Sequence, residues 1–158
     1  LDDDYRNFLS EAVPEIKPGP FLNLQGEVIG THKGIPFYTI GQRRGLGVSG
    51  GERLYVVSID QRHNTITLGP EEAIWGSDLI AKDLNLVLYD RIEEAKEVNA
   101  QIRYNAKPAP ATLRLINNGQ LHVHFHKPQR AITPGQAVVF YEGEYLVGGA
   151  TIERVGNE

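Results

Sequence analysis

From Pro20 onward, apolar and polar side chains alternate in short runs broken by glycine, proline and asparagine. That is the period of half-buried β-strands. FLNL and EVIG flank a turn at Gln25-Gly26, and PFYTIG follows a second turn at His32-Lys33-Gly34. LYVVSI and TITLG bracket DQRHN as a hairpin. Later, VNAQIRY places Val98, Ala100 and Ile102 on one face and Asn99, Gln101 and Arg103 on the other. ATLRLI turns Arg114 outward between Leu113 and Leu115. Asn118-Gly119 supplies a hairpin turn that tolerates positive φ, and LHVHFH returns with Leu121, Val123 and Phe125 inward. A last hairpin forms around Glu142-Gly143. Only the beginning departs from period two: Asp2, Asp3 and Asp4 precede Tyr5, Phe8, Leu9, Ala12 and Val13 at helical spacing. This predicts a short helix over residues 2–13, stopped by Pro14.

The pattern predicts a mainly β chain in two parts. Residues 1–72 form a small β-rich domain with a short N-terminal helix, and residues 77–158 form a closed antiparallel β-barrel without exposed edges. The boundary is placed near Glu71–Ser77, where GPEEAIWGSDL reads as irregular. DRIEEAKEV is read as holding one helical turn.

Composition narrows the chemistry. With Cys 0, the chain holds no disulfide, thiolate metal site or cysteine nucleophile. With Met 0 and Leu1 at the start, it is expected to be a piece of something longer. No run is apolar enough to cross a membrane as a helix. The net charge of −4 argues against a general polyanion binder, yet the charge is uneven. Arg103, Lys107, Arg114, Lys127 and Arg130 fall in a stretch from Glu97 to Glu142 that has no carboxylate between its ends. A second basic island holds Arg43 and Arg44. Two such islands in an acidic chain point to a directed anionic partner.

Four local patterns bear on that partner. YTIGQRRGLGVSGGE matches G-x-G-x-x-G at Gly45, Gly47 and Gly50, but a strand follows where a dinucleotide site needs a helix. The better reading is a loose arm presenting Gln42, Arg43 and Arg44 to phosphates. His122, His124 and His126 share one strand face, with neighbours about 6.6 Å apart. No carboxylate lies near them in sequence to complete a metal shell, so contact with phosphates or bases is favoured over metal. Arg103-Tyr104 joins a planar cation to an aromatic ring, a pair suited to unpaired RNA; on spacing alone, an Arg outside a barrel beside a rim Tyr is the simpler account. TPGQ, residues 133–136, is a tight turn that releases Gln136 with its amide free. No Ser/His/Asp array and no pair of acids is placed for acid–base work. The chain therefore reads as a binding module.

Together these pieces resemble the bacterial tRNA-specific 2-thiouridylases. The resemblance runs through GEVIGTHKGIPFYTIGQRRGLGV (Gly26–Val48), LYVVSID with NTITLG (Leu54–Gly69), QIRYNA (Gln101–Ala106) and RAITPGQAVVFYEGEYLVGGATI (Arg130–Ile152). It implies the central domain and the C-terminal, translation-factor-like β-barrel of an enzyme that thiolates the wobble uridine of tRNA at C2. ATP with Mg and two cysteines would act from an N-terminal domain absent here, leaving this fragment inactive alone and without a cofactor or metal. The implied partners are the tRNA anticodon stem-loop and a persulfide sulfur-carrier protein, in the cytoplasm and away from membranes. The family's RNA contacts map onto Arg103, Tyr104 and Gln136, with Gln42, Arg43 and Arg44 facing the active site and the tRNA. Two positions depart from the family pattern: Gly148-Gly149-Ala150 stands where three glycines are usual, and Asn85-Leu86 where Asn-Trp is expected. A translation-factor-like barrel that binds protein is the alternative.

Overall fold

The computed structural model describes residues 16–48, 53–116 and 119–156. The helix expected over 2–13 lies outside them. The chain divides into two compact units, Leu1–Glu71 and Glu72–Glu158.

The first unit is a four-stranded sheet in the order β2-β1-β4-β3. Its strands are β1 (Gly19–Leu22), β2 (Val28–His32), β3 (Tyr55–Asp60) and β4 (Thr65–Gly69). The β1–β2 connection is tight because the Asn23 side chain accepts the backbone N–H groups of Gln25 (3.0 Å) and Glu27 (2.9 Å). Gly26 takes φ 84 there, which a side chain would resist. Phe21, Val56, Ile66 and Leu68 are buried together with Tyr38 and Leu46. Each large apolar side chain so buried stabilises by about 1.5–3 kcal/mol. His32 is buried among them and fully bonded: its Nδ1 accepts the Gly34 N–H at 3.0 Å, and Nε2 donates to the Asn64 carbonyl at 2.8 Å.

PFYTIG is not a strand. Ile35–Phe37 form a 3-10 turn with Pro36 in its first turn, and the chain then runs irregularly to Val48. Pro36 has no N–H to give a ladder, so the apolar alternation there serves packing of Tyr38 and Ile40 instead.

The second unit is a closed barrel, β10-β5-β8-β7-β6-β9, with every neighbouring pair antiparallel. Its strands are β5 (Trp75–Leu86), β6 (Lys96–Gln101), β7 (Ala109–Leu115), β8 (Leu121–Arg130), β9 (Ala137–Glu142) and β10 (Tyr145–Val155). Val98, Ala100, Leu113, Leu121, Val123, Phe125, Val138, Phe140 and Ile152 fill it. The segment read as irregular at GPEEAIWGSDL resolves into a 3-10 turn, Glu71–Ile74, followed at once by β5. No helical turn forms in DRIEEAKEV. Arg91 pairs with Glu93 at 2.6 Å along an open loop, and Lys96 already belongs to β6.

Candidate functional site

Topology gathers several of the basic residues at one end of the barrel. β6 and β8 run in the same direction with antiparallel β7 between them, so the β6–β7 and β8–β9 connections leave the same end. Arg103 and Tyr104 lie in the first connection, and Gln136 closes the second. Gln101 stands opposite Val139, two steps into β9, which brings Arg103 out beside the start of that strand.

The β6–β7 connection is built to hold its shape. The Gln101 amide donates to the carbonyls of Tyr104 (3.1 Å) and Ala106 (2.7 Å). The Ala106 N–H donates to the Arg103 carbonyl at 3.1 Å. The Arg103 guanidinium reaches across to the carbonyl of Arg130, the last residue of β8. These bonds leave the Tyr104 ring with no place to pack: it is 97% exposed. A tyrosine on the rim is thus what the structure shows, and its whole face is available to a partner.

The second connection is equally constrained. Ala131 at φ 56 and Gly135 at φ 91 turn the chain. The Gly135 N–H donates to the Ile152 carbonyl and the Ile152 N–H to the Gln136 carbonyl, each at 2.8 Å. The Gln136 backbone is thereby fixed to β10 while its side chain is exposed. Lys107, Lys127 and Arg130 add cations to the same two loops and the end of β8.

Gln42, Arg43 and Arg44 lie in the first unit. Arg43 and Arg44 are exposed. Gln42 is not presented in the same way. Its side-chain carbonyl accepts the Thr39 N–H at 3.0 Å and its amide donates to the Arg44 carbonyl at 2.9 Å. Backbone bonds Gly41 N–H to Val56 O (2.8 Å) and Val56 N–H to Gln42 O (2.9 Å) lace this turn to β3. As far as Val48 the segment is a shaped turn rather than a loose arm. Its glycines are needed for conformation, with Gly45 at φ 77 and Gly47 at φ 68. Residues 49–52 lie outside the described residues.

The histidine face gains in space the carboxylates it lacks in sequence. Asp78 Oδ1 lies 2.8 Å from both His122 Nε2 and His124 Nδ1. Glu97 lies 2.9 Å from His126 Nε2 and accepts the Thr112 hydroxyl at 2.5 Å. Burial pushes the Asp78 carboxyl up, but hydrogen bonds from His124 and His122 outweigh it and hold the group below its ordinary value. With those acids in place, the face is less suited to phosphates than its histidines alone imply. Among the described residues no three His, Cys, Asp or Glu are placed to hold a metal.

At the opposite end Glu142 joins two strands and a loop. Lys96 Nζ meets it at 2.7 Å and the Tyr89 hydroxyl donates to it at 2.5 Å, with Lys96 Nζ 3.8 Å above the Tyr89 ring. The Lys96 and then the Tyr89 hydrogen bond hold the Glu142 carboxyl below its usual value.

Two residues at the basic end escaped the sequence reading. Gln101 reads only as an outward strand residue, since its reach along the loop depends on the turn that follows. Trp75 sits in a stretch read as irregular; being the one tryptophan of a chain with 7 tyrosines and 5 phenylalanines was the available signal.

Residues 6–70 match a family described as the tRNA methyl transferase PRC-barrel domain, and residues 77–152 one described as the aminomethyltransferase beta-barrel domain. The tRNA-specific 2-thiouridylase MnmA of Pelotomaculum thermopropionicum is 68% identical over 157 residues, 99% of this chain and 43% of that protein. The enzyme of the same name from Desulforamulus reducens is 58% identical over 154 residues, 97% of this chain and 42% of that protein. That of Heliobacterium modesticaldum is 51% identical over 156 residues, 97% and 40%. The chain spans about two fifths of the length of these relatives. The domain descriptions speak of methyl transfer and the relatives' names of thiouridine; identity across both units makes the relatives the better guide.

Proposed function

The chain belongs to the tRNA-specific 2-thiouridylase family, of which it carries the central and C-terminal domains, and we propose that it is the tRNA-docking portion of an enzyme that thiolates the wobble uridine at C2. The observation that carries the proposal is the shared barrel end. Two hydrogen-bonded loops and the end of β8 bring Arg103, Lys107, Arg130, Tyr104 and Gln136 to one end, within a stretch that has no carboxylate from residue 98 to residue 141. Cations there meet backbone phosphates of the anticodon stem-loop, Tyr104 offers a stacking face, and the Gln136 amide offers a hydrogen bond. Arg43 and Arg44 of the first unit add phosphate contacts, and Gln42 shapes the turn that carries them.

This chain's role is to bind and orient. Among the described residues, those around Gly45 and Gly47 do not fit ATP: the next described element is strand β3, without the helix N-terminus a phosphate loop requires. Nor does the chain hold a cysteine for a persulfide. ATP with Mg, the catalytic cysteines and the sulfur carrier belong, on this reading, to the rest of the enzyme, working in the cytoplasm; the fragment alone is inactive.

A salt titration of RNA binding tests the proposal. Affinity should fall with salt at a log–log slope of about −0.7 to −0.9 per phosphate neutralised. Arg103→Ala should remove about one phosphate's share of that slope. A chain with no affinity for tRNA at low salt refutes the proposal. The protein-binding reading draws its support from the other end of the barrel, where Val87 and Tyr145 are 62% and 69% exposed.

A further inference from the structure

We infer that Trp75 is a second stacking platform at the basic end of the barrel, and that the RNA is therefore held there through unpaired nucleotides rather than through continuous duplex. This rests on the RNA-docking reading and adds to it a residue and a class of RNA structure.

Trp75 opens β5 and is 46% exposed, unusual for the bulkiest apolar side chain in the sequence. Its register partner is Arg130, and residues directly opposite in an antiparallel pair project from the same face. The Arg130 carbonyl is also where the Arg103 guanidinium docks. Next after Arg103 comes the bare ring of Tyr104. The order across this end is thus Trp75, Arg130, Arg103, Tyr104: two aromatic planes with two guanidinium groups between them.

The backbone that carries both rings is held in place before any ligand arrives. The Ala131 N–H donates to the Ile74 carbonyl at 2.7 Å, tying the strand start that carries Trp75 to the end of β8. The Gln101 amide fixes the Tyr104 loop, as described above. Preorganised groups of this kind lose little freedom on binding. Aromatic side chains stack on bases only where the base faces are uncovered. In an A-form duplex they are covered, and the deep major groove admits no side chain. Two stacking faces flanking guanidinium groups fit a loop whose bases splay outward while its phosphates run past the cations. Glu71 and Glu72, just before Trp75 in the chain, limit how far a phosphate track could extend on that side.

Because Trp75 is the sole tryptophan, its own fluorescence reads the contact. The chain would be titrated with a short RNA hairpin bearing an unpaired loop, and with the same stem closed as a blunt duplex. The hairpin should change Trp75 fluorescence saturably and the duplex should not. Trp75→Ala should weaken hairpin binding by about fivefold or more with an unchanged salt slope, since no phosphate contact is lost. Trp75→Phe, which keeps an aromatic plane, should retain most of the affinity and guards against a misfolded alanine variant. Salt-dependent hairpin binding without a fluorescence change, or equal changes with hairpin and duplex, overturns the inference and leaves RNA docking standing. Absence of binding by both RNAs overturns docking as well.

Discussion

Gly148 is a position where a single methyl group should break the barrel. A Cβ built on it would lie 2.4 Å from the Asn85 carbonyl oxygen, 3.1 Å from Leu86 Cα and 3.2 Å from Asn85 C. All three atoms are backbone of β5, the strand paired with β10 at this point. They cannot rotate away as a side chain would, and β10 is held from its other side by β9, where Gly148 stands opposite Phe140. Relief to an ordinary contact requires about 1 Å of separation between hydrogen-bonded strands in a closed ring. That places Gly148→Ala at the upper part of the overpacking range, about 3 kcal/mol. In a unit of this size each kcal/mol moves the melting temperature by about 4–8 °C, so a loss of roughly 12–24 °C is expected. Gly149→Ala is the matched control, because its Cβ would meet the Val138 carbonyl at 3.4 Å, an ordinary contact. Both substitutions reduce the freedom of the unfolded chain equally, so that contribution cancels in the comparison. Thermal and denaturant unfolding followed by circular dichroism give the two midpoints, with an unchanged denaturant slope confirming that stability alone has moved. Equal midpoints would refute the steric argument. The next residue, Ala150, carries a methyl without such a clash and packs it into the barrel core.

Two further substitutions probe the polar devices. Gln101→Ala removes both amide bonds that shape the Tyr104 loop, at about 1 kcal/mol of stability. Hydrogen exchange at the Ala106 amide should quicken and RNA affinity should fall with the salt slope intact; unchanged exchange would show that the loop holds itself. Asp78→Asn tests the histidine face. A carboxyl held below its ordinary value contributes stability that is fully present above that value and is lost as the pH falls from it to the folded pKa. Over that acid window the denaturant midpoint of the native chain should drop more than that of Asp78→Asn, and parallel curves would contradict the assigned shift.

The barrel was legible in the sequence because strands such as β6, β7 and β8 alternate buried and outward positions along most of their length. Leu121, Val123 and Phe125 point inward as the period demands, and so do Val98, Ala100 and Ile102. PFYTIG misled for the same reason: Tyr38 and Ile40 pack a core two residues apart, but Pro36 takes the segment out of any ladder, and period alone does not register a missing N–H. Alternation also runs out at the strand end, where Leu115 is exposed although Leu113 is buried. The charged end was legible as a run without acids, and Arg103 with Tyr104 as a pair. Partners distant in sequence were not. The acids that engage the histidines arrive from β5 and β6, 44 residues away for Asp78 and His122. Gln42 reads as a side chain presented to phosphates because its two bonds are made to backbone groups that only the folded turn places nearby. Trp75 went unnoticed because the register that sets it beside Arg130 crosses most of the barrel sequence.

The claim that one end of the barrel docks RNA is tested most directly by mapping the contact. Backbone amide resonances of the chain would be followed by NMR as an RNA hairpin is added at low salt. The account predicts that, within the barrel, shifts concentrate at Trp75, Arg103–Lys107 and Arg130–Gln136, leaving the Tyr89–Lys96–Glu142 end unmoved. Shifts centred on Val87, Leu88 and Tyr145, or spread without focus around the barrel, would contradict it.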